Sequence, residues 1–262
     1  MKALTDISHV AGRELRSLFV SPIAYVVLTG YVVLTGWFFF NLLVQFNRMI
    51  NMYEMMRRPD VASMLNLNEL VMLPLMYNMT IVLLLMVPLI TMRLFSEEKK
   101  LRTDELLLTS PISVTSIVLG KYLSVLIFLG VMLGLTLVYP AILFQYGQPA
   151  PELGPIVAGY IGLFLLGAAF MGVGLFASSL TENQIVAAVI TFVTLLLFFV
   201  IGWPAETAGP TLGKVLQYLS LVDHFSDFSK GLLDGQHVVY YLTFILFALF
   251  LTKRSIESTR WR

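Results

Sequence analysis

The chain has 262 residues, 58% hydrophobic and 13% charged, with a formal net charge of +1 and mean hydropathy +0.83. A soluble domain carries about 25% charged residues, so this supply excludes a water-soluble globule and points to a polytopic membrane protein. The near-zero net charge excludes an overall field for nucleic acid, and the absence of cysteine excludes disulfides, thiolate metal sites and cysteine nucleophiles.

The N-terminal stretch, residues 1–21, sets Ile7, Val10, Ala11, Leu15, Leu18 and Phe19 at helical spacing against Asp6, Arg13, Glu14 and Arg16. This pattern predicts an amphipathic helix lying in the cytoplasmic interface. It lacks the apolar core of a signal peptide, so the first span is expected to stay in the membrane. Six stretches are apolar enough to span as helices: about 22–44, 71–92, 116–144, 155–177, 185–203 and 238–252. The last is short, and Tyr240 and Tyr241 are candidate interfacial anchors for it. Between the fifth and sixth spans, residues 213–234 mix Leu216, Leu219, Phe225, Phe228 and Leu232 with Asp223, Asp227 and Lys230. That stretch is too polar to span, and an outer interfacial helix is expected.

With the N-terminus inside, the inner loops and termini hold twelve Lys and Arg and the outer loops five. The positive-inside bias therefore places both termini in the cytoplasm. The central parts of the six spans carry no ionisable residue, which argues against an ion-coupled pump and against an intramembrane protease. Arg93 and Lys121 fall at cytoplasmic ends, where they are expected to snorkel. His9, His224 and His237 are expected outside the spans. Asp223, His224 and Asp227 have metal-ligand chemistry, but their spacing alone does not build a site, and no metal is expected.

The phosphate-binding pattern GxxxxGK followed by Ser or Thr is missing. Gly120-Lys121 is followed by Tyr122, and the run from Gly209 to Lys214 has the wrong spacing and is followed by Val215. If ATP drives this protein, another chain binds it. No catalytic residue and no cofactor are expected here. Pro74 and Pro88 can bend the second span. Gly159, Gly162, Gly167, Gly172 and Gly174 make the fourth span a close-packing helix, with packing inside the subunit and a mobile or dimer-facing role both compatible.

One stretch breaks the apolar pattern. From Glu97 to Glu105, seven of nine residues are charged. Arg93, Lys99, Lys100 and Arg102 balance Glu97, Glu98, Asp104 and Glu105, so this is not a polybasic lipid patch. Glu98 and Arg102, and Lys100 and Asp104, are i, i+4 pairs on a helix, with Leu94, Leu101 and Leu108 seven apart. Thr109-Ser-Pro111 ends the pattern. A solvated loop and a short docking helix both fit.

The motifs Glu97-Glu-Lys-Lys, Thr103-Asp-Glu-Leu-Leu-Leu-Thr-Ser-Pro111 and Ile117-Val-Leu-Gly-Lys121 resemble those of the membrane subunits of ABC-2 type transporters. Phe176-Ala-Ser-Ser-Leu-Thr-Glu-Asn-Gln184 and the later Leu219-Ser-Leu, His224-Phe and Phe228-Ser-Lys-Gly231 extend the likeness nearly end to end. The branch most similar is that of the gliding-motility GldF-like permeases, with the NosY-like permeases of nitrous-oxide-reductase maturation as cousins. The resemblance implies an all-α exporter-type fold of six membrane helices, a second permease copy or homologous permease, and a cytoplasmic ABC ATPase subunit that holds ATP and Mg. It implies a bacterial inner-membrane location. It also assigns 95–111 as the coupling helix loop, with Glu97, Glu98, Lys99, Lys100, Leu101, Arg102, Thr103, Glu105, Leu106, Leu107, Thr109, Ser110 and Pro111 as the ATPase contact. Ser179, Thr181, Glu182 and Asn183 form a secondary cytoplasmic contact. Relatives often have glycine where this chain has Arg102, so a more continuous helix is expected here. The function implied is export or movement of a substrate across the membrane. The alternative is a mechanical coupler that acts on a periplasmic partner protein and passes no substrate, with the outer segment 47–70 as its handle.

Overall fold

The computed structural model describes residues 2–56, 65–103, 112–147 and 150–259. In chain order it contains α1 (Lys2–Val20), α2 (Pro22–Met55), a π-helical turn (Asn68–Met72) leading into α3 (Leu73–Thr91), α4 (Ser96–Lys100), α5 (Val114–Thr136) and α6 (Val138–Tyr146). These are followed by α7 (Leu153–Leu180), α8 (Gln184–Val200), a 3-10 turn (Trp203–Glu206), α9 (Pro210–Leu219), α10 (Leu221–Ser229) and α11 (Gly235–Thr259). No strand occurs among the described residues. Six stretches are long and apolar enough to cross a membrane: Pro22–Met55, Asn68–Lys100, Val114–Tyr146, Leu153–Leu180, Gln184–Ala205 and Gly235–Ser258. The protein is an all-α, multi-pass membrane protein.

Local chemistry explains where the helices begin and turn. Ser21 caps α2, its Oγ accepting from the Ile23 N–H at 3.4 Å, and Pro22 occupies a first-turn position where no donor is needed. The helix then runs 34 residues, because nothing after Val44 breaks it before Met55. At 1.5 Å per residue that is about 50 Å, longer than the ~30 Å hydrocarbon core. The third span is interrupted at Leu137. Pro140 has no N–H for the carbonyl of Thr136, four residues back. The Tyr160 hydroxyl donates to that carbonyl instead, at 2.9 Å, so the break leaves no orphan acceptor. The stretch 213–234 is two helices, not one. Ser220 is extended between them (φ −71°, ψ 120°), and its Oγ caps α10 by accepting from the Asp223 N–H at 3.2 Å.

The bundle is organised around α7, the span with the largest buried share, 72%; α8 has the smallest, 17%. Apolar helices gain little from each other by leaving lipid, so close approach and hydrogen bonds must hold them. The small residues of α7 supply that approach on several sides. Gly162 faces Phe228 of α10, where an added Cβ would lie 2.5 Å from the Phe228 Cβ. Gly174 faces Thr91 of α3, and Gly172 faces Ala248 of α11. The glycines serve packing within the subunit. On the other side of the core, Tyr139 of α6 donates to the Val32 carbonyl of α2 at 2.9 Å and stacks on Phe39 with centroids 5.0 Å apart.

The helix ends fall into two groups. The near end gathers α1, the start of α5, the ends of α3, α7 and α11, and α4. The far end gathers α6, α9, α10 and the starts of α7 and α11. α1 lies against α5 because Gly120 has no side chain: a Cβ there would sit 2.7 Å from Val10 and 3.0 Å from the Ile7 carbonyl. Val10, Ala11 and Leu18 are buried on this contact face, and Arg13, Arg16 and Ser17 are exposed on the other.

Candidate functional site: a charged turn fastened to three helices

The charged stretch begins where α3 ends. The chain turns at 92–95 and resumes as α4. One side chain of α7 holds this turn. Ser178, fully buried, accepts from the Phe95 N–H at 2.9 Å and the Ser96 N–H at 3.2 Å, and donates to the Met92 carbonyl at 3.0 Å. That uses the hydroxyl's one donor and both acceptor positions. Ser96 Oγ also donates to the Met92 carbonyl. Lys99 Nζ donates to the Ser179 carbonyl, which Ser255 of α11 also reaches at 3.1 Å. Arg93 closes the other side, donating to the Ser17 carbonyl in the last turn of α1 at 2.9 Å, where a cation complements the helix dipole.

Beneath the turn lies a group of four charges. Lys121 is not at a snorkelling position: it is completely buried. Its Nζ is 2.7 Å from the Leu94 carbonyl, 2.9 Å from Glu98 Oε1 and 3.1 Å from Glu14 Oε1, and it sits 5.0 Å from the centre of the Phe95 ring. Snorkelling fails because α1 covers this part of α5 and supplies a carboxylate directly. Arg13 bridges the same two oxygens, at 2.7 Å to Glu14 and 3.2 Å to Glu98. Two cations thus meet two anions, joining α1, α4 and α5. Burial pushes the Glu14 carboxyl up, but Lys121 and then Arg13 act against it and hold it below the ordinary carboxylate value. Glu98 Oε2 is buried with no hydrogen-bond partner.

The expectation of a more continuous helix around Arg102 is wrong. α4 stops at Lys100, and Arg102 adopts φ 55°, the left-handed conformation that glycine takes most readily. The Thr103 N–H bonds the Glu98 carbonyl at 3.0 Å and the Arg102 N–H bonds the Lys99 carbonyl at 3.1 Å. This is the paired closure of a Schellman helix end, with Arg102 in the position where glycine is commonest. The bend exists without glycine, and Arg102 carries its strain.

Of the expected contact residues, Glu97, Glu98, Lys99, Lys100, Leu101, Arg102 and Thr103 lie on this turn. Glu98 and Lys99 point into the bundle's polar contacts, and Lys100, Leu101, Arg102 and Thr103 are exposed. Glu105, Leu106, Leu107, Thr109, Ser110 and Pro111 lie outside the described residues. Of the second group, Ser179 meets Lys99. Thr181 and Asn183 shape the next turn: Thr181 Oγ1 accepts from the Asn183 N–H at 3.1 Å, and Asn183 Oδ1 caps α8 at 2.9 Å from the Ile185 nitrogen. Glu182 is exposed beside them. That Arg13, Glu14, Lys121 and Ser178 converge on this turn was not anticipated. Their partners are 82 to 86 positions away in sequence for Ser178 and 85 for Arg13 with Glu98. The only signal was a lysine about two turns inside a mostly apolar helix.

Among the described residues, no group of three or more His, Asp or Glu side chains is arranged to hold a metal ion. His237 lies in the first turn of α11, so it stands at the edge of the sixth span and not in a loop.

Six apolar helices and a charged turn fastened at one end make this a multi-pass membrane protein. The profile described as ABC-2 family transporter protein matches residues 63–251, well over half the chain, and the chain belongs to that family. Comparison with curated proteins gives no match.

Proposed function

We propose that the chain is the permease subunit of an ABC transporter, moving a substrate across the bacterial inner membrane with energy from a separate ATPase subunit that binds ATP and Mg. The near end faces the cytoplasm, with both termini there, following the Lys and Arg bias of the loops. Residues 97–111 form the ATPase contact, with Ser179, Thr181, Glu182 and Asn183 beside them. Two permeases pair in the working assembly, as a second copy or a homologous chain, and the motifs shared with the GldF-like and NosY-like branch favour that lineage.

The observation that carries this reading is a contrast within one turn. Lys100, Leu101 and Arg102 are exposed, with Leu101 at 64%, while the same turn is tied to α5 and α7 by buried polar contacts and to α1 by an exposed one. A push on the exposed residues is therefore delivered to three helices and not lost in a loop. ATP binding can favour one membrane state only through contacts that differ between the states, and on this reading the turn makes them. The test is co-purification with the cognate ATPase of the Lys100→Glu, Arg102→Glu double variant. We expect ATPase recovery to fall about tenfold, the loss of about 1.4 kcal/mol of contact. Wild-type recovery with normal coupled ATP hydrolysis would sink the assignment.

A mechanical coupler is the second reading, favoured by the length of α2, which reaches well past the hydrocarbon thickness toward the far end. Substrate-stimulated ATP hydrolysis in liposomes supports the permease, and hydrolysis stimulated only by a periplasmic protein supports the coupler.

A further inference from the structure

At the far end, α10 meets the first turn of α11 through two histidines and a carboxylate. His224 is 5% exposed. Its Nε2 is 3.0 Å from the Tyr218 carbonyl oxygen, and its Nδ1 is 2.6 Å from Nδ1 of His237. His237 Nε2 is in turn 2.8 Å from Asp227 Oδ2. The His224 ring stacks on Tyr240 at 3.8 Å and meets Tyr218 edge-on at 5.6 Å.

This chain can be counted in protons. A carbonyl only accepts, so His224 Nε2 carries a hydrogen. The contact between His237 and Asp227 needs one hydrogen, whichever side donates it. The contact between the two Nδ1 atoms needs a third. Two neutral imidazoles and a carboxylate hold only two. Without the third, two lone pairs face each other at hydrogen-bond distance.

We infer that His224 and His237 bind one additional proton between them, and that this proton latches α10 onto α11. The groups facing the pair are Asp223 and Asp227 of α10, Tyr218 of α9, and Tyr240 and Tyr241 of α11. α8 contains no titratable residue, the only one in α7, Tyr160, is bonded to Thr136, and Tyr77 of α3 packs edge-on against Phe225 of α10. Asp227 is thus the anion in direct contact with the pair. Burial pushes the His224 imidazole below its ordinary value, and His237 adds to this, outweighing the Tyr218 carbonyl. The carboxylate of Asp227 lies 2.8 Å from His237 Nε2, so the shared proton is drawn on the His237 side, with His224 accepting at Nδ1. A shared metal ion does not fit: nitrogens each about 2.0–2.1 Å from a tetrahedral zinc lie about 3.3 Å apart.

The proton adds to ties that do not need it. The Tyr240 hydroxyl donates to the Leu219 carbonyl at 3.0 Å and that of Tyr241 to the Leu221 carbonyl at 2.7 Å, holding the junction of α9 and α10. The histidine pair controls the second half of α10, where Phe228 seats against Gly162 of α7. Low pH keeps this half clamped. As pH rises the proton leaves, the rings part and the clamp loosens. In the orientation proposed above this end faces outward, so the latch responds to external pH; only that last step rests on the proposed orientation.

The test is hydrogen exchange of the full chain in nanodiscs at about pH 6 and about pH 8, corrected for intrinsic rates, a range that spans histidine titration. In the wild type, residues 221–237 should exchange about tenfold more slowly at the lower pH, the worth of one charge-assisted hydrogen bond. His237→Asn keeps an N–H at the Nδ1 position without ionising, and should be protected equally at both. His224→Phe should exchange fast at both; if it does not fold, His237→Asn decides alone. No pH difference in the wild type, or an undiminished one in His237→Asn, overturns the proposal. So does a stoichiometric metal in the purified protein whose removal by chelator abolishes the protection.

Discussion

Replacing Lys121 by Met tests the buried charge group most directly. The lysine side chain is 1% exposed and compensates Glu98 and Glu14, whose side chains are 19% and 13% exposed. Its removal leaves two carboxylates sharing Arg13, which is 55% exposed and weakened by solvent, and strips the Leu94 carbonyl of its donor. Breaking a buried ion pair by deleting one partner costs about 3–5 kcal/mol. Arg13 remains and one carboxylate can take up a proton, so the lower end, about 3 kcal/mol, is expected. For a chain of this size that lowers the unfolding midpoint by about 10 °C, measurable by thermal unfolding in detergent. The decisive comparison adds Glu14→Gln and Glu98→Gln to the same chain. If the cost is uncompensated charge, the triple variant should recover most of it, since replacing a whole buried charge group is nearly neutral. A single variant within about 1 kcal/mol of wild type, or a triple variant whose loss is the sum of its parts, refutes the reasoning.

Four other outcomes follow from the same geometry. Arg102→Gly should stabilise the protein by up to about 1 kcal/mol by relieving a left-handed non-glycine residue, read as a raised midpoint. Ser178→Ala frees two backbone N–H groups and one carbonyl at the turn; a cost of about 1–3 kcal/mol and faster hydrogen exchange confined to 92–100 are expected. Gly174→Ala should destabilise more than Gly159→Ala, because the first collides with branched Thr91 and the second with the flexible end of Met76; relative midpoints decide this. Glu14 is depressed in the folded state, so its contribution is present above its ordinary value of 4.5 and lost as pH falls through the folded one. Glu14→Gln should therefore show a shallower loss of stability on acidification below about pH 5 than the wild type.

Composition and run length alone settled that this is a six-span helical membrane protein, because a bilayer imposes its thickness on every apolar stretch and water demands charge everywhere else. The amphipathic first helix was legible for the same reason, since Val10, Ala11 and Leu18 repeat at helical spacing. The location of the charged turn was legible too, as a break in a long apolar pattern. Local chemistry was less so: the left-handed Arg102 violates the preference that sequence reading relies on, and it persists because the contacts around α4 hold the turn closed. The tertiary structure alone decided which charges meet. Lys121 reads as a snorkelling lysine at a helix end until Gly120 lets α1 lie across α5 and bring Glu14 against it. His224 and His237 read only as residues outside the spans until α10 folds back on α11. Burial and pairing come from surfaces far apart in sequence, and a single chain read in order carries the helices but not the faces they turn to one another.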